Sequence, residues 1–69
     1  MSEIIFLVDE ALDGGYTARA LGEAIFIEAD TQDELRHAVS DAVRCHFDDA
    51  ERAPRVIRLH FVREEVFAA

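Results

Sequence analysis

Cys45 and His46 are neighbours, and a thiol beside an imidazole is a pairing that nucleophilic catalysis uses. The spacing argues against that use here. The pattern around them is helical, and adjacent residues on a helix point about 100° apart, so the two side chains do not face each other. His46 falls on the apolar stripe of that helix. Cys45 lies near the helix C-terminus, where the dipole has the wrong sign to favour a thiolate. His37 and Asp41 stand one turn apart and could share a metal, yet they read as a weak surface pair. Cys45, His46 and His60 show neither Cys-x-x-Cys nor His-x-x-x-His spacing, so no zinc-type set forms. Asp9-Glu10 and Glu64-Glu65 are adjacent acids on strand patterns and so point to opposite faces. Gly14-Gly15 is followed by a strand pattern, which is the wrong context for a phosphate-cradling loop. No catalytic residue, cofactor site or metal site is assigned.

The more promising chemistry is recognition. Arg19, Glu28, Arg58 and His60 fall at outward positions of three strand patterns, where they form a candidate partner-binding surface if the registers align. Arginines on such a surface can act as anchors. The whole chain is acidic, with fifteen Asp and Glu against seven Arg, no Lys and a net charge of −8. That field repels nucleic acid backbones and attracts basic proteins.

The elements that would position these residues are legible in order. EIIFLVDE (3–10) is apolar on consecutive positions, as in a strand covered on both faces. Asp13-Gly14-Gly15 reverses the chain. YTARAL (16–21) and AIFIEA (24–29) follow as strands joined by the Gly22-Glu23 turn. Thr31 and Glu34 then make a Thr-x-x-Glu helix start. Leu35, Ala38, Val39, Ala42, Val43 and His46 recur at helical spacing, and the helix is expected to stop near residues 48–54. RVIRLHFVREEVF (55–67) closes with alternating Ile57, Leu59 and Phe61. The tail reads as frayed, with Phe67 able to tuck in.

These elements predict one α+β domain over residues 1–69. It is a two-layer β-β-β-α-β fold: an antiparallel meander, then a fourth strand parallel to the first by a right-handed crossover, in sheet order 3-2-1-4. One helix covers one face. The other face keeps apolar side chains from the first strand, and such a patch normally finds a partner. Self-association through that face or a free strand edge is expected, giving a homo-oligomer. The single cysteine fits a reducing compartment, and the Met-Ser-Glu start shows no secretion signal. No apolar run is long enough to cross a bilayer. A cytoplasmic location, with neither membrane nor direct nucleic-acid contact, is expected.

DGGYTA (13–18) followed by EADTQDEL (28–35) resembles the HicB-like antitoxin family. Gly14, Gly15, Tyr16 and Ala18 match its turn-strand motif; Asp30, Thr31 and Glu34 match its helix start. The resemblance spans nearly the whole chain. It departs in the short LGEAIF connection and in Ala29, where the family has glycine. The few residues after Phe67 leave no room for a DNA-binding tail, so a solitary domain is expected. The resemblance implies the same β-β-β-α-β fold and no enzymatic activity. It also implies a partner: a small basic RNA-cleaving toxin of the HicA type. The alternative is a stand-alone oligomeric structural or regulatory protein without a toxin.

Overall fold

The computed structural model describes residues 3–49 and 51–69. The initial Met1-Ser2 and Ala50, within the expected helix-stop segment, lie outside the described residues. The elements are β1 (Glu3–Glu10), β2 (Tyr16–Ala20), β3 (Phe26–Ala29), α1 (Gln32–His46) and β4 (Val56–Val62). They form one four-stranded sheet in the order β3-β2-β1-β4, with β1 antiparallel to β2, β2 antiparallel to β3, and β1 parallel to β4. This is the expected α+β fold with the expected strand order.

Each local feature has a local cause. The first reversal is closed by the Ala11 N–H donating to the Gly15 carbonyl at 2.7 Å and the Gly14 N–H donating to Ala11 at 3.0 Å. Gly14 adopts φ +99°, a conformation that a side chain would strain. The Glu34 N–H donates to Thr31 Oγ1 at 3.1 Å, so Thr31 caps α1 as its sequence position requires. Asp33 and Glu34 in the first turn and Arg44 and His46 in the last complement the helix dipole. The helix ends at His46, two residues before the expected stop region, with Phe47 extended and its N–H donated to the Val43 carbonyl.

Alternation sorts the side chains. Ile4, Phe6 and Val8 of β1 face the helix and are buried, while Ile5 and Leu7 face the other way and are half-buried. Ala18, Ala20 and Ile27 continue the inner layer, and Leu35, Val39 and Val43 of α1 close it. The two alanines on β2 are small enough for the helix to approach the sheet closely there. The helix rests chiefly on β3 and β2, and β4 is left mostly bare.

Three expectations are corrected. β3 starts at Phe26 instead of residue 24; Ile25 is buried but belongs to the turn, where its N–H donates to Glu23 and its carbonyl accepts from Ala20. His46, placed on the apolar stripe by its spacing, lies at the exposed end of the helix. Phe67 does not tuck in: it is 82% exposed, because the tail after Val62 leaves the sheet with no element of the chain over it.

Candidate functional site

The face of the sheet opposite the helix is the candidate interaction surface. It is organised in rows by the strand registers. Leu7 pairs with Arg19 on one side and with His60 on the other, and Arg19 pairs onward with Phe26. One row therefore reads Phe26, Arg19, Leu7, His60 across all four strands. The next row towards the start of β1 pairs Ile5 with Arg58. The row on the other side runs Glu28, Thr17, Asp9, Val62.

The four residues singled out from sequence thus share one face, as strand alternation requires. Arg19 and His60 flank Leu7 directly. Glu28 sits one row from Arg19, at the acidic end. The four do not form ion pairs with one another. Arg58 instead donates from Nη2 to Glu3 Oε1 at 2.8 Å, tying β4 to the start of β1. What sequence reasoning passed over is Phe26, 64% exposed in the same row. Its signal was present: it alternates out of phase with the buried Ile25 and Ile27. A large apolar side chain in water beside half-buried Ile5 and Leu7 makes this face a centre of apolar area edged by charge, the composition of an interaction patch.

Around the acidic end the chain turns into α1. There an open hollow of about 400 Å³ is lined in part by Asp13, Tyr16, Glu28, Asp30 and Glu34. Tyr16 organises this corner. Its hydroxyl donates to Glu10 Oε2 at 3.2 Å and accepts from Gln32 Nε2 at 3.3 Å, and its ring meets Phe61 edge-on at 6.3 Å. The motif tyrosine therefore links β1, β2, α1 and β4 at one corner. Gly15 beside it faces the Ala29 carbonyl, which explains how the turn packs against β3.

The groups with catalytic chemistry are dispersed. Cys45 is exposed. His46 Nε2 lies 2.9 Å from Glu23 Oε1 and its ring stands edge-on to Phe47 at 5.0 Å. His37 does not pair with Asp41; the Asp41 carboxylate accepts from Arg44 at 2.7 Å, so the expected His37–Asp41 surface pair is replaced. His60 is on the opposite side of the sheet from α1. Among the described residues there is no group of three or more His, Cys, Asp or Glu side chains placed to hold a metal ion. No described helix is long and apolar enough to cross a membrane.

Comparison with known proteins places the chain in a family. No family model matches it, and no solved structure matches it. A UPF0150 protein of Archaeoglobus fulgidus is 57% identical over 49 residues, covering 71% of this chain and 73% of that protein. A UPF0150 protein of Thermotoga maritima is 41% identical over 66 residues, covering 96% of this chain and 91% of that protein. With identity this high over nearly the full length of both chains, the protein belongs to the UPF0150 family.

Proposed function

We propose that this protein is a non-catalytic interaction module that binds a small basic protein, in the manner of a HicB-type antitoxin that sequesters an RNA-cleaving toxin. The observation that carries this reading is the helix-free sheet face, where Phe26, Arg19, Leu7 and His60 form one continuous row. Arg58 stands beside that row, and Glu28 and Asp9 form its acidic end. A net charge of −8 raises the encounter rate with a basic partner, and the apolar row gives it area to bury. A toxin that binds RNA presents a surface suited to phosphates, and carboxylates can occupy the same surface. In this reading the acids steer and the row Phe26 to His60 holds.

The test is titration against a HicA-type toxin encoded beside the gene, with RNA cleavage as a second readout. The wild type should bind it, with affinity falling as salt rises, and should suppress cleavage. Arg19→Ala and Phe26→Ala, which remove an anchor and apolar area without adding a carboxylate, should weaken both while leaving the fold intact. Binding and suppression unchanged in both variants would reject this face. Capture of nothing but further copies of the chain would favour the alternative, a stand-alone oligomeric structural or regulatory protein.

A further inference from the structure

β4 is an edge strand that is only partly covered, by the Tyr16 ring against Phe61 and by the core against Leu59. Ile57 and Phe61 on the helix side, and Val56 and Val62 on the other, are all more than a third exposed. Both faces of the strand therefore leave apolar side chains in water, and exposed apolar surface of this kind is where a partner binds. A long apolar edge is also a template for another strand. The opposite edge of the sheet is different. β3 is only four residues long, contains Glu28 and is followed by Asp30.

The β4 sequence has an internal symmetry about Leu59. Reading outward, Arg58 mirrors His60, Ile57 mirrors Phe61, and Val56 mirrors Val62. We propose that two copies of this chain pair antiparallel along β4 about a two-fold axis at Leu59, joining their sheets into one of eight strands. A two-fold interface must be self-complementary, and this register makes it so. On the helix side Leu59 meets Leu59 of the second copy, and Ile57 meets its Phe61. The groove that Arg36, Val39, Ile57 and Leu59 line between α1 and β4 is then continuous with its counterpart. On the other side Arg58 meets His60, whose ring nitrogen can accept from a guanidinium N–H.

Two bodies of net charge −8 repel, but residues 54–63 contain no acid, so pairing along this edge sets no carboxylate of one copy against a carboxylate of the other. The pairing does not rest on the antitoxin reading, and either can fail alone.

The test uses the full chain in two ways. Sedimentation should give about twice the 7.8 kDa chain mass, and Leu59→Glu should return it to one chain. Because Leu59→Glu could also unfold the domain, cysteine cross-linking in a Cys45→Ser background supplies the second readout. Leu59→Cys places two thiols across the axis with Cα atoms about 5 Å apart, within disulfide range. Ile57→Cys alone leaves its two thiols about 13 Å apart, judged from the strand rise. The expected result is a covalent dimer from Leu59→Cys, none from Ile57→Cys or Phe61→Cys alone, and a dimer when those last two are mixed. A single chain at all concentrations overturns the proposal, as does a dimer that cross-links equally at 57 alone or at none of these positions.

Discussion

Arg58 Nη2 and Glu3 Oε1 lie 2.8 Å apart across 55 residues of sequence, a side-chain contact between the last strand and the start of the first. It spans the parallel β1–β4 pair, whose only covalent connection is the long path through the meander and the helix. The Arg58 side chain is 62% exposed and that of Glu3 25%. A pair this wet contributes little, so Arg58→Ala should cost no more than about 1 kcal/mol in urea unfolding. A larger loss would mean that the contact holds β4 in place and does not merely decorate it.

Thr31→Ala removes the acceptor for the Glu34 N–H at the start of α1. Loss of such a cap costs about 1 kcal/mol. In a domain of this length that is a drop of several degrees in melting temperature, about 4–8 °C. Thr31→Ser, which keeps the hydroxyl, should restore most of it.

Gly14 and Gly15 should respond differently to alanine. Gly14 has φ +99° with nothing within 4 Å of an added Cβ, so the penalty is conformational, about 1 kcal/mol. Gly15 has ordinary φ, and an added Cβ would sit 3.5 Å from the Ala29 carbonyl oxygen, a normal contact. Gly15→Ala should therefore melt close to wild type. The reverse order would mean that the motif glycines serve packing and not the turn.

Two phenylalanines separate the core from the open face. Phe6 is fully buried, and Phe6→Ala should cost about 3–5 kcal/mol, enough to unfold much of a small domain. Phe26→Ala should change stability by about 0.5 kcal/mol or less, since the ring is already in water. Circular dichroism melts of the two variants check both values. If Phe26→Ala proves as damaging as Phe6→Ala, the outer face is a covered core surface.

The order of elements, the Thr31 cap, the Gly14 turn and the period-two alternation of β2, β3 and β4 were legible in the sequence alone, whereas β1, apolar at consecutive positions, showed its inner and outer sides only in the structure. Each depends on residues a few positions apart, where period and cap chemistry act directly. The strand order followed because an all-apolar β1 belongs inside the sheet. That Arg19, Glu28, Arg58 and His60 share a face followed from period two. What they touch did not follow, because register is a long-range property: it brought Arg58 to Glu3 and set Arg19 and His60 around Leu7. His46 fits the helical stripe by count but is exposed and reaches Glu23 in the β2–β3 turn, a contact between residues 23 apart that spacing does not encode. The lateral position of α1 was decided only by tertiary packing. Small Ala18 and Ala20 admit the helix over β2 and β3, and that choice leaves β4 and its apolar side chains bare.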